Sequence, residues 1–173
     1  MIFEELEFEG VFKIDLEKIE DDRGFFARSW DFKIFKEKGL NEKLMQCNIS
    51  FNHKKGTLRG IHYQLHPYAE AKLVRCTRGK VFEVLVDLRK NSDTYSQWLG
   101  IELTDDHKMI YIPEGFGLGM QTLVDDTELF YQMSGEYAPD YARGIKWDDP
   151  KLKINWPINP SVISERDSNF EYM

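Results

Sequence analysis

Gly56-Thr-Leu-Arg-Gly-Ile-His-Tyr-Gln64, followed by Glu70-Ala-Lys-Leu-Val-Arg-Cys76, puts one histidine and one lysine on neighbouring short runs with the apolar content of strands. At a period of two, His62 shares a face with Gly60 and Gln64, while Ile61 and Tyr63 take the other. A small, polar face inside an apolar run needs a reason. It is either a structural histidine satisfied by one hydrogen bond in a barrel wall or a reacting group, and this segment alone leaves both open.

The flanking segments extend the pattern. In Gln46-Cys-Asn-Ile-Ser-Phe51, Gln46, Asn48 and Ser50 fall on one face and Cys47, Ile49 and Phe51 on the other. That alternation fits a barrel strand facing a polar, ligand-holding lumen, and equally an edge strand turning its polar side to water. Downstream, Leu73 to Thr77 runs into Arg78-Gly79 and returns from Val81 to Arg89, which predicts a hairpin. Further strands are expected at Trp98–Leu103 and at Met109–Pro113, then a glycine-dense turn at Glu114–Gly119. Gln121–Leu123 and Glu128–Ser134 predict another hairpin, with Tyr131 on the face of Leu129 and Met133. Toward the N-terminus, Phe8–Leu16 and Phe25–Trp30 read as strands of a hairpin arm joined through Glu20–Gly24. Asp31 caps an expected helix over Phe32–Lys38 that stops at Gly39. The segments from Gly144 to Asp167 are turn-rich and are expected to wrap the barrel.

Bulk properties bound the function. The 173 residues are read as one domain, 1–173, large enough to bury its own core. An aromatic content of 14% spread over short β-rich runs favours an all-β fold. A formal charge of −7 argues against nucleic acid and anionic membranes as partners, so an anionic ligand must be held by local Arg and Lys. Cys47 and Cys76 are the only cysteines, no run approaches membrane-spanning length, and Met1-Ile-Phe-Glu-Glu lacks a secretory leader's apolar run. These features predict a reduced, cytoplasmic protein. A small barrel with a Pro-x-Gly turn points to the cupin fold, yet His62-Tyr-Gln64 and Pro113-Glu-Gly-Phe-Gly-Leu118 place an amide and a leucine at ligand positions. With His66 and His107 isolated in expected loops, no metal site is predicted.

Taken together the motifs resemble the dTDP-4-dehydrorhamnose 3,5-epimerase family, metal-independent cupins acting on nucleotide-linked 4-keto-6-deoxy sugars. The resemblance spans nearly the whole chain. It is carried by Asp22-Arg-Gly-Phe-Phe26, Gln46-x-Asn-x-Ser50, Leu58-Arg-Gly-Ile-His-Tyr-Gln64, Lys72-Leu-Val-Arg75, Val86-Asp-Leu-Arg89, Ile112-Pro-x-Gly-Phe116, Tyr131 with Tyr137, Trp147-x-Asp-Pro150, Ile154-x-Trp-Pro157 and Ser164-x-x-Asp167. It implies an all-β cupin jelly-roll barrel with an N-terminal strand arm and a few short helices, a homodimer formed through that arm, and no cofactor.

A ketone at sugar C4 acidifies the hydrogens at C3 and C5, so inversion needs a base on one face, a donor to the enolate oxygen and an acid on the opposite face. His62 is suited to be the base, since imidazole titrates near neutral pH. Lys72 is the cation for the enolate, and Tyr131 the acid from the other face. The resemblance implies that Asp167 orients His62, that Arg59 and Arg23 hold the diphosphate (Arg23 from a partner's arm), that Gln46 and Asn48 line the pocket, and that Tyr137 packs on the nucleotide. Two positions depart from the family pattern. Leu118 stands where histidine is usual, which leaves open whether C3 alone or both C3 and C5 are inverted. Arg28 stands where rhamnose-pathway members tend to have glutamate. A donor-only arginine suits cytosine or guanine better than the thymine N3–H, so a GDP or CDP sugar is expected instead of dTDP. The expected activity is an isomerase serving polysaccharide biosynthesis. The alternatives are a 3,4-ketoisomerase on the same substrates and a catalytically inactive sugar-nucleotide-binding protein.

Overall fold

The computed structural model describes residues 1–173, and its elements run β1 (Ile2–Glu5), β2 (Phe12–Asp15), β3 (Ile19–Asp21), β4 (Gly24–Phe26), α1 (Phe32–Glu37), β5 (Gln46–Asn52), β6 (Thr57–Gln64), β7 (Lys72–Arg78), β8 (Lys80–Asp87), β9 (Trp98–Thr104), β10 (Met109–Ile112), β11 (Phe116–Thr122), β12 (Thr127–Met133), β13 (Ala142–Gly144), β14 (Val162–Ile163) and α2 (Glu165–Ser168). One six-stranded sheet has the order β1-β2-β10-β7-β12-β5. A second has the order β13-β6-β11-β8-β9, with β14 pairing in parallel along β6. The sheets face each other as a jelly roll, the all-β cupin architecture expected, and β3–β4 stands apart as an exposed hairpin.

Three apolar layers result. The layer between the sheets includes Val74, Cys76, Val81, Leu85, Ile110, Met120 and Leu129. Outside the first sheet, α1 lays Phe35 against Ile14, Leu73, Met109 and Tyr111. Outside the second, the C-terminal segment brings Ile145 and Leu152 onto Ile61, Val84 and Val86, with Trp156 packed alongside. Strands covered on both faces carry apolar residues on both, which is why all of β10 and β11 is buried.

Several expected boundaries move. The Lys72–Arg78 and Lys80–Asp87 runs are not a hairpin: β7 pairs with β10 and β12, β8 with β11 and β9, and the chain crosses between sheets at Gly79. β11 and β12 likewise lie in different sheets. Two-sided apolar strands do not reveal by periodicity which neighbour they pair with. The glycine-dense turn is shorter than expected, because Gly117 and Gly119 lie within β11, where a Cβ on Gly117 would come within 2.6 Å of Ile61. The expected strand at Phe25–Trp30 is only Gly24–Phe26, and that at Phe8–Leu16 only Phe12–Asp15. The helix forms as expected, with the Asp31 side chain accepting from the amides of Lys33 and Ile34 and with Gly39 just beyond its end.

Candidate active site

A cavity of about 270 Å³ opens between the two sheets. Asn48, Ile49 and Ser50 of β5, Lys72 of β7, and Tyr131 and Met133 of β12 form one wall; Arg59 and His62 of β6 with Leu118, Gly119 and Met120 of β11 form the other. The strand pairing explains how β6 delivers two side chains. Met120 pairs with Arg59 but Leu118 with His62, so three steps on β6 oppose two on β11. This bulge centres on Gly60 and reverses the alternation, turning Arg59 and His62 to one face. Gly60 has φ of +100°, and a Cβ there would lie 2.5 Å from the Leu118 carbonyl oxygen. Only glycine fits that approach.

His62 Nε2 lies 2.8 Å from Asp167 Oδ1, and the other carboxylate oxygen accepts the Gly60 N–H at 3.0 Å. Asp167 itself is buried on α2, where the Ser164 hydroxyl accepts its N–H at 3.1 Å. Burial alone would raise the Asp167 carboxyl. The bonds from His62, Gly60 and Ser164 outweigh that and hold it below the usual carboxylate range. A carboxylate accepting from Nε2–H fixes the neutral tautomer and leaves Nδ1 as the proton acceptor. The His62 side chain keeps 41% of its surface exposed, so a ligand can reach it. Phe170 packs edge-on against the imidazole, with ring centroids 5.6 Å apart.

On the facing wall, Lys72 sits 3.5 Å from Glu70, with both side chains nearly buried. Tyr131 opens onto the same cavity, and burial pushes its hydroxyl well above the usual tyrosine value. Arg59 Nε donates to Asn52 Oδ1 at 2.8 Å, which aims the guanidinium along the cavity wall. Two cations, one imidazole–carboxylate pair and one phenol thus converge from opposite sheets. No cluster of three or more His, Cys, Asp or Glu side chains at metal-ligand spacing occurs in the chain.

Of the residues singled out in the sequence, His62, Lys72, Tyr131, Asp167, Arg59 and Asn48 meet here. Gln46 is adjacent on β5 with its Oε1 buried and unpartnered, but does not line the cavity. Arg23 lies on the exposed hairpin, bonded to Asp21 at 3.1 and 2.5 Å, and Tyr137 is exposed outside the cavity. Arg28 is also remote: its Nη1 donates to Asp31 Oδ2 at 2.6 Å, and that carboxylate at the start of α1 is the partner that holds it. The expectation that Arg28 selects a base other than thymine therefore has no support within this chain. Met120, Met133 and Phe170 were not anticipated. The first two look like core residues by periodicity, and nothing in the sequence places Phe170 beside His62.

A sequence profile of the dTDP-4-dehydrorhamnose 3,5-epimerase family matches residues 5–173. The chain is 41% identical over 171 residues to the dTDP-4-dehydrorhamnose 3,5-epimerase of Sinorhizobium fredii, covering 98% of this chain and 88% of the relative. It is 39% identical over 166 residues to the dTDP-4-dehydrorhamnose 3-epimerase of Streptomyces niveus, covering 95% and 80%. The crystal structure of the dTDP-4-dehydrorhamnose 3,5-epimerase of Bacillus anthracis, with TDP and PPi bound, superposes with a TM-score of 0.95 at 34% identity over 99% of both chains.

Proposed function

The chain belongs to the dTDP-4-dehydrorhamnose 3,5-epimerase family of isomerases, and from that premise we propose that it inverts C3 and C5 of a dTDP-linked 4-keto-6-deoxy sugar. The observation that carries this reading is the His62–Asp167 pair on one sheet facing Tyr131 and Lys72 on the other. His62 Nδ1 removes the proton next to the C4 ketone. The Lys72 ammonium stabilises the enolate oxygen, and Tyr131 returns a proton from the opposite side. The imidazolium then loses its proton to solvent and the Tyr131 phenolate regains one from it, which returns both groups to their starting states without any change of oxidation level. Arg59 is assigned to the diphosphate.

The relatives named for dTDP sugars, one of them with TDP bound, favour dTDP over the GDP or CDP first expected. We read residues 1–173 as one epimerase domain working as a homodimer in the cytoplasm. The uncovered apolar surface supports the dimer: Ile19, Phe25 and Phe26 on the hairpin are 69%, 44% and 64% exposed, and Ile49 on β5 is 66% exposed. A hairpin laid on the β5 edge of a second copy would cover both and carry Arg23 and Arg28 toward that copy's cavity.

The test is incubation with dTDP-4-keto-6-deoxyglucose in D₂O, with deuterium counted by mass spectrometry and placed by NMR. Deuterium at C3 and C5 with inversion at both is the expected result. Deuterium at C3 alone restricts the assignment to a 3-epimerase, a carbonyl shifted to C3 makes it a ketoisomerase, and no exchange despite nucleotide binding overturns the reading.

A further inference from the structure

Behind the cavity wall lies a carboxyl group that the steps above leave unused. Glu83 projects from β8 into the space between the sheets, in alternation with the core residues Val81 and Leu85. It is 0% exposed, and neither carboxyl oxygen has a hydrogen-bond partner. Its cross-strand neighbours, Met120 on β11 and Ile101 on β9, offer none. The titratable groups that face it are Lys72 and Cys76 from β7 and Tyr131 from β12. The Cys76 thiol is directed to the Arg78 carbonyl at 3.1 Å, and Arg59 of β6 acts on Tyr131 from the cavity side.

The Lys72 ammonium already lies 3.5 Å from the Glu70 carboxylate. A second carboxylate at Glu83 would leave an uncompensated negative charge in the dry interior next to Tyr131, which is far less favourable than a neutral acid. With no partner at bonding distance, the neutral acid is the favoured form of Glu83.

Resting on the epimerase reading, we propose that Glu83 is a positioning residue: a carboxylic acid kept neutral behind the site so that Lys72 stays directed at the substrate oxygen and Tyr131 stays able to release its proton. Burial pushes the Glu83 carboxyl up to about 8, against the pull of Lys72. Above that pH its charge competes for the ammonium and makes the phenol a still weaker acid, so the site shuts off by a route separate from titration of the base.

The experiment compares kcat at pH 7 and pH 9 for the wild type and Glu83→Gln, a neutral isostere. For the wild type the ratio is expected to be about tenfold, as for loss of one proton near the midpoint. For Glu83→Gln it is expected to stay within about twofold. Equal ratios in the two proteins, or a folded Glu83→Gln protein inactive at both pH values, overturn the proposal. Infrared spectroscopy of the unliganded wild type provides a second measurement that needs no folded variant at Glu83. A protonated-carboxyl carbonyl band is expected at pH 7, lost by pH 9 and retained in Glu70→Gln. Absence of that band at pH 7 overturns the proposal even if the wild type epimerises. A wild type that epimerises nothing at any pH overturns the functional reading and the proposal with it.

Discussion

At the scale of single residues, the His62–Asp167 pair and Tyr131 do separable work. Asp167→Asn leaves one oxygen for the Gly60 N–H and turns an NH2 donor toward Nε2, which favours the wrong imidazole tautomer, and a fall in kcat of roughly 10²–10⁴ is expected. Steady-state kinetics at saturating substrate checks it. Tyr131→Phe leaves the base in place and removes the opposing acid. That variant is expected to exchange substrate hydrogen for deuterium while producing little inverted sugar, a dissociation that NMR of the recovered substrate reads directly. Lys72→Met should slow both exchange and inversion by about 10²–10³, because every path passes through the enolate.

At the scale of elements, β6 determines whether the site exists. Gly60→Ala would drive a Cβ into the Leu118 carbonyl oxygen at 2.5 Å and the Gly119 Cα at 2.7 Å, both backbone atoms. A loss of about 2–4 kcal/mol is expected from this clash and the positive φ, measurable as a lower urea midpoint. The same strand shows what periodicity can and cannot say. On β5 the alternation that brings Asn48 and Ser50 to the lumen was legible because the strand is regular, although Ile49 from the other face also borders the cavity. On β6 the simple period groups His62 with Gly60 and Gln64 and turns Arg59 away. The bulge at Gly60 reverses that, and a bulge depends on the strand opposite, β11, which local sequence does not encode. The crossing at Gly79 was invisible for a related reason: β7 has buried apolar residues on both faces (Leu73 on one, Val74 and Cys76 on the other) and so does β8, and neither pattern says which strand is the partner. Family motifs drew attention to His62, Lys72, Tyr131 and Asp167, whereas Glu83 looked like one polar residue in an apolar strand until its lack of partners was seen.

At the scale of the whole molecule, opposing titrations shape stability. Burial would raise the Asp87 carboxyl, but bonds from Arg89, Ser92 and Thr94 hold it at about 2. Its contribution is present above the unfolded value near 4 and is lost as pH falls through about 2. Glu83 has the opposite sign: raised to about 8, it contributes fully below its unfolded value near 4.5 and loses that contribution as pH climbs through about 8. Thermal unfolding is therefore expected to give the highest Tm in mildly acidic buffer, with a decline toward pH 9 that Glu83→Gln flattens. Light scattering is expected to report a dimer, and Phe26→Asp combined with Ile49→Asp to report a monomer, since these exposed side chains belong to the two surfaces assigned to each other. The crossing of the chain between sheets also sets the order in which the protein can come into being. His62 waits for a partner 105 residues later, and β6 cannot acquire its parallel neighbour β14 until Val162 arrives. Neither sheet can be completed from adjacent segments, so collapse must bring distant parts of the chain together before local pairing is rewarded. Refolding followed by tryptophan fluorescence should run ahead of recovered turnover, with catalysis among the last properties to return.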